Sequence, residues 1–191
     1  FDAKPDAMQL AQALVWKGQL KRPVVLFTSS REGEEAMWLD ALQALKDTSH
    51  GSIHAVHWLV VPRHPQRFTE VAQLLEQRGL DYLRRSQLGQ GLLSPHVHIV
   101  LGDSLGEMFA YYAACDMAFI GGSLLPLGGQ NLIEALSCGK PVFVGPHTFN
   151  FSQISNDAIQ SNVAVRVQDG DELFRQWLDW LLDVCKLQKV S

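Results

Sequence analysis

The sequence predicts an α/β fold: a parallel sheet with helices on both faces. Three observations predict it. Short apolar runs alternate with stretches of helical spacing along the chain. The runs are apolar on both faces, as suits strands covered from both sides. The turns that leave them are polar, and carry glycine or helix-capping residues. In such a sheet the carboxyl ends of the strands share one edge, and ligands bind there.

Residues 6–20 carry Met8, Leu10, Ala11, Leu14 and Val15 at helical spacing, and Lys21-Arg22-Pro23 ends the helix. Residues 24–27 form the first strand. Ser29 and Glu32 match a capping box for a helix that runs to Lys46. Residues 56–61 form the second strand, which leaves through Pro62-Arg63-His64-Pro65. Pro65 suits the first turn of a helix over 66–78, and Gly79 closes it. Residues 82–85 read as a short edge strand, followed by a loop toward Pro95. Residues 97–101 form the next strand, and its exit holds a second capping pair, Ser104 and Glu107, for a helix to Ala114. Strand 116–120 leads into a glycine-rich loop, 121–131, and a helix that opens at Leu132. Strand 140–144 closes at Gly145-Pro146, residues 149–160 are helical in part, and 163–167 form the last strand. A final amphipathic helix over 171–184 turns Leu173, Trp177, Trp180 and Leu181 inward.

Composition excludes several classes. The 191 residues fit one domain, 47% hydrophobic and 19% charged. A net charge of −4 gives no electrostatic footprint for nucleic acid. Cys115, Cys138 and Cys185 stand apart in apolar surroundings, which suits buried thiols in a reducing compartment rather than a disulfide or zinc site. No apolar run approaches the ~20 residues of a membrane span. The start, Phe1-Asp2-Ala3-Lys4-Pro5, has neither a Met nor a signal peptide, as expected of a piece of a longer protein.

The glycine-rich loop carries the strongest functional signal. Gly121-Gly122-Ser123 and Gly128-Gly129-Gln130-Asn131 lie between a strand and a helix, where bare N–H groups can meet an anion. Asn131 and Glu134 match a third capping box. There is no GxGxxG after the first strand and no GxxxxGK[ST], which disfavours a dinucleotide dehydrogenase and a P-loop. Arg63 suits a bidentate clamp on a phosphate or carboxylate, or a surface ion pair. His64 is a second donor or only a cap. Glu134 accepts ribose hydroxyls or serves the cap, and Asp103 and Ser104 cap or contact a ligand. His54, His57, His96 and His98 lie on strands without a third metal ligand of suitable spacing. The five tryptophans fit core positions.

Five motifs stand in a telling order and spacing: Glu32-Gly33-Glu34-Glu35; Pro62-Arg63-His64-Pro65-Gln66-Arg67-Phe68; Leu105-Gly106-Glu107-Met108; the glycine loop through Glu134; and Gly145-Pro146-His147-Thr148-Phe149-Asn150-Phe151. Over nearly the whole chain they resemble the 3-deoxy-D-manno-octulosonic acid (Kdo) transferases of lipopolysaccharide synthesis. Gln130 stands where many members of that family have His, and both side chains can donate. Leu125 and Leu127 flank Pro126 where polar residues are often seen.

The resemblance implies a GT-B glycosyltransferase of two Rossmann-like halves. Residues 1–191 would be its C-terminal half, a single nucleotide-sugar (donor) domain, with the N-terminal acceptor domain absent from this chain. The donor substrate would be CMP-Kdo, transferred with inversion and with neither metal nor cofactor. Arg63, His64, Ser104, Gly106, Glu107, Met108, Gly122, Ser123, Gly128, Gly129, Gln130, Asn131 and Glu134 would bind the donor. No catalytic residue is expected here, because the missing half would carry the base, the lipid A precursor and the membrane anchor. The full-length enzyme would work at the cytoplasmic face of the bacterial inner membrane, and this fragment alone would be soluble and inactive. Two alternatives remain: another GT-B enzyme using a UDP- or GDP-sugar, and a non-catalytic nucleotide-binding module.

Overall fold

The computed structural model describes residues 7–19, 22–46, 56–88 and 97–188. The strands are β1 (Val24–Ser30), β2 (His57–Pro62), β3 (Tyr82–Arg84), β4 (Ile99–Leu101), β5 (Met117–Ile120), β6 (Val142–Val144) and β7 (Ala164–Arg166). The helices are α1 (Ala7–Gln19), α2 (Glu34–Lys46), α3 (Arg67–Gln77), α4 (Met108–Ala114), α5 (Ile133–Ser137), α6 (Ser152–Gln160) and α7 (Gly170–Gln188). They build one sheet of order β3-β4-β2-β1-β5-β6-β7, parallel at every pairing. This is the fold class expected, with β3 as the edge strand expected at 82–85.

Strand alternation sorts the core into two layers. Val25, Phe27, Trp58, Val60 and Phe119 face α2, α3 and α7, where Trp38, Leu39, Leu42, Leu75 and Trp177 are buried. Phe27 stacks on Trp38 at 5.6 Å and on Phe119 at 5.1 Å. Val24, Leu26, Leu59, Val61, Ala118 and Ile120 face the other helices, against Trp16, Tyr111, Tyr112, Ala135 and Ala158. Each large apolar side chain so covered contributes about 1.5–3 kcal/mol. β2 and β5 are buried along their whole length, which is why they read as unbroken apolar runs.

The apolar spacing that predicts α1 is not its buried face. Met8, Leu14 and Val15 are 80%, 72% and 51% exposed, while Ala13 and Trp16 are covered. Trp16 decides the orientation because its ring packs on Tyr111 at 5.5 Å and under the Arg85 guanidinium at 5.0 Å.

None of the three capping boxes forms as expected. Ser29 is still in β1, at an irregularity of the β1–β2 register, with a left-handed φ of 54°. The helix after it starts only at Glu34, whose carboxylate takes the Arg31 N–H at 3.0 Å. At α4 the Ser104 hydroxyl donates to the Glu107 carboxylate and lies 2.8 Å from the Tyr111 hydroxyl, so no backbone cap is made. At α5 the N-cap is Leu132; Asn131 Oδ1 accepts the Ile133 N–H at 3.0 Å, but Glu134 does not reach back. In the first case the strand runs on past the expected cap; in the second the Ser104 hydroxyl is taken by the side chains of Glu107 and Tyr111. Pro65 precedes the N-cap Gln66, and Gly79, at φ 61°, ends α3 as expected. His54, His96, Lys21 and the loop near Pro95 lie outside the described residues, as do the side chains of Leu181 and Cys185.

Candidate functional site

β1 lies at the topological switch point, with β2 on one side and β5 on the other. Loops leaving the two sides of such a point diverge and open a crevice at the strands' carboxyl ends. The glycine-rich loop leaves β5 at this place, so the site grows from how that loop is held.

An internal carboxylate holds it. Glu34 is wholly buried, and its oxygens accept the N–H of Gly122 at 2.6 Å and of Leu124 at 2.9 Å, besides that of Arg31. Glu35, equally buried, accepts from Ser30 Oγ at 3.0 Å and from Arg67 at 3.1 Å. Burial pushes the Glu35 carboxyl up, against the opposing pull of Arg67. Arg67 also pairs with Glu70. The first turn of α2 therefore ties the exits of β1, β2 and β5 together.

Ser123 is wholly buried; its hydroxyl donates to the Ile120 carbonyl at 2.5 Å and accepts the Gly145 N–H at 2.8 Å. The hydroxyl proton is thus used inside the protein, and Ser123 braces the β5 exit against the β6 exit. The glycines owe their place to packing as well. A Cβ on Gly121 would lie 2.6 Å from the Ser29 carbonyl oxygen, and one on Gly145 2.1 Å from that of Ser123. Gly128 and Gly129, at φ 92° and 76°, sit in the left-handed region that favours glycine. The expectation that glycine opens the main chain to an anion is corrected at Gly121 and Gly122: backbone crowds Gly121, whose N–H goes to the Thr28 carbonyl, and Glu34 takes the Gly122 N–H.

The second half of the loop differs. Gly129 N–H bonds back to Gly122 at 2.6 Å, and Gly128 accepts the Asn150 N–H at 3.0 Å. Beyond them, no acceptor among the described residues meets the N–H groups of Gln130, Asn131 or Leu132. Arg63, exposed at the β2 exit, reaches this segment and donates from Nε to Gln130 Oε1 at 3.1 Å. Its own N–H bonds to Ser30 at 3.0 Å. Glu134 is half-buried one turn on, and among the described residues its carboxylate has no partner. His64 is exposed beside Arg63. Arg63, Gln130, Asn131 and Glu134 thus offer donors and an acceptor from two strand exits.

The β4 exit approaches less completely. Met108 Sδ lies 3.8 Å from Thr28 Oγ1, at the end of β1. Glu107 is engaged by Arg85 at 2.9 Å and Gln12 at 2.9 Å, besides Ser104. Burial drives the Tyr111 phenol well above its ordinary range. Gly106, at φ 78°, has open space where a Cβ would point. At the other end of the sheet His57 and His98 stack at 5.9 Å, and Arg22 lies 2.9 Å from His98 Nδ1. Cys115 is a buried free thiol pushed up to about 12 by burial.

Glu34, Glu35 and Arg67 stand in the motifs quoted above, but the sequence analysis gives them no role of their own. A signal existed: positions 34, 35, 38, 39 and 42 form one helical stripe, and Trp38, Leu39 and Leu42 are its apolar members. Two acidic residues continuing an apolar stripe mark buried, partnered carboxylates.

No family model matches the chain. It is 47% identical over 184 residues to 3-deoxy-D-manno-octulosonic acid transferase of Bordetella pertussis, covering 96% of this chain and 42% of that protein. The Haemophilus influenzae protein of the same name is 34% identical over 169 residues, covering 88% of this chain and 38% of that protein. The chain thus spans about two fifths of these relatives. Among solved structures, the C-terminal CMP-Kdo binding domain of WaaA from Acinetobacter baumannii matches with TM-score 0.85 and 32% identity, over 96% of this chain and 94% of that one. The C-terminal domain of a glycosyl transferase group 1 family protein from Francisella tularensis shares the fold at TM-score 0.50 and 17% identity. The chain belongs to the Kdo transferase family and corresponds to the C-terminal domain of its members.

Proposed function

We propose that this chain is the donor-binding part of an enzyme that transfers Kdo from CMP-Kdo to a lipid A precursor. The observation that carries this reading is the likeness, at TM-score 0.85 and 32% identity, to a domain described as binding CMP-Kdo. The geometry agrees with it. Arg63 donates to Gln130, beside the N–H groups at 130–132 that no acceptor among the described residues meets. A positive charge and free donors thus come together where an anion would lie. Arg63 meets the phosphate or the Kdo carboxylate, Glu134 holds the ribose hydroxyls, and Met108 flanks the nucleotide. Negative charge grows on the CMP phosphate as it leaves, so prepositioned donors lower the barrier. Inversion and metal independence are carried over from the family resemblance. The acceptor, the catalytic base and attachment to the inner membrane are assigned to parts of the protein outside these 191 residues.

Calorimetric titration with CMP, UDP and GDP tests the reading. CMP binding tighter than both others is the expected result. Tighter binding of UDP or GDP would assign the chain to another nucleotide-sugar enzyme, and binding of none would reject a nucleotide site. In the full-length enzyme, Arg63→Ala or Glu134→Ala is expected to cut transfer by orders of magnitude.

A further inference from the structure

We infer that Glu34 is a positioning residue for the crevice: its buried carboxylate sets the loop segment 129–132 that faces the ligand. The side chain is 0% exposed and lies in the first turn of α2. Three backbone N–H groups converge on its two oxygens, from Arg31 at 3.0 Å, Gly122 at 2.6 Å and Leu124 at 2.9 Å. A nest of N–H groups beside a glycine turn is the usual seat of a bound anion. Here the protein's own carboxylate occupies it, so this half of the loop is closed to a ligand. The order passes on through one contact, the Gly129 N–H to the Gly122 carbonyl at 2.6 Å. From Gly129 the chain runs directly into Gln130, Asn131 and Leu132 with their unpaired N–H groups. Glu34 touches no ligand itself; it acts through Gly122 and Gly129.

Only an acceptor with two oxygens fits. An amide of the same shape has one oxygen and an NH2 group, so one converging N–H would meet a donor. Glu34→Gln therefore keeps the volume and breaks the clamp. The test records backbone amide spectra and hydrogen exchange of this chain, with CMP titration alongside. Leu173→Ala, a wholly buried α7 residue that makes no hydrogen bond to the loop through its side chain, serves as a destabilised comparison. In Glu34→Gln, exchange at Gly122 and Leu124 is expected to speed at least 10-fold, with signals of 129–132 displaced. CMP affinity is expected to fall about 10-fold. Leu173→Ala is expected to lose stability without these local changes. Unchanged signals at 129–132 in Glu34→Gln overturn the inference, and so does the same displacement in Leu173→Ala.

The last step rests on the donor reading. If the unsubstituted chain takes up no CMP, that reading fails, while the amide signals still decide the role of Glu34. Should Glu34→Gln not fold, the unsubstituted chain decides. Its Gly122 amide proton is expected far downfield and slow to exchange, and an ordinary shift with rapid exchange overturns the inference.

Discussion

Arg63 Nε donates to Gln130 Oε1 at 3.1 Å and so joins the exit of β2 to the glycine loop across 67 residues of chain. The contact is exposed, and surface substitutions change stability by about 0.5 kcal/mol or less. A hydrogen bond to a charged ligand group contributes about 1.5–3 kcal/mol. Arg63→Ala should therefore leave the melting temperature nearly unchanged while weakening CMP binding roughly 10- to 100-fold. Calorimetry on the purified chain measures this, and unaltered affinity would remove Arg63 from the site.

Glu134 supplies a carboxylate with no partner among the described residues, one turn beyond the unpaired N–H groups. If it holds ribose hydroxyls, Glu134→Ala should lower affinity for CMP about 10-fold, the loss of one charged hydrogen bond. Affinity for 2′,3′-dideoxycytidine monophosphate should barely change. Equal losses for the two nucleotides would place Glu134 elsewhere than on the ribose.

Ser123 and Gly145 are expected to matter for stability before affinity. Ser123→Ala leaves the Gly145 N–H and the Ile120 carbonyl without a partner, a cost of about 1–3 kcal/mol. Gly145→Ala forces a methyl to within 2.1 Å of a backbone oxygen, and overpacking of this kind costs about 1–3 kcal/mol or more. Urea unfolding should show both losses. A Ser123→Ala variant of full stability and weakened CMP binding would make that hydroxyl a ligand contact after all.

His57 gives the fold a pH dependence. Burial, with His98 and Arg22 nearby, lowers its pKa from 6.5 to about 4. Between those values the unfolded chain binds the proton and the native chain does not, so stability falls as pH drops from 6.5 toward 4. His57→Phe keeps the ring against His98 and removes the titration. Its urea midpoint should vary less between pH 6.5 and 4.5 than that of the unsubstituted chain. Identical slopes would assign the dependence to other groups.

Much of this molecule can be read from the chain alone, because buried parallel strands impose unbroken apolar runs. Val24 to Phe27 and Met117 to Ile120 show this directly, and even the three-residue edge strand at Tyr82 was legible. The exits at Arg63 and the glycine loop stand out in the sequence as well, since they carry polar residues where a core would want none. Cap patterns misled, because Ser104 finds Glu107 and Tyr111 across the turn instead of a backbone N–H. Local matching has no knowledge of such partners. The same blindness hid Glu34: an acidic residue at a helix start reads as a dipole contact until the fold brings Gly122 and Leu124 onto it.

The way the glycine loop is packed also limits how this crevice can be redesigned. At positions 121, 123 and 145 neighbouring backbone or the demands of a brace leave almost no room for another side chain. Variety is left to the rim: Arg63, Gln130, Asn131 and Glu134. A combinatorial library randomised at those four should yield mostly folded proteins of shifted nucleotide preference, while one randomised at 121, 123 and 145 should yield mostly insoluble chains.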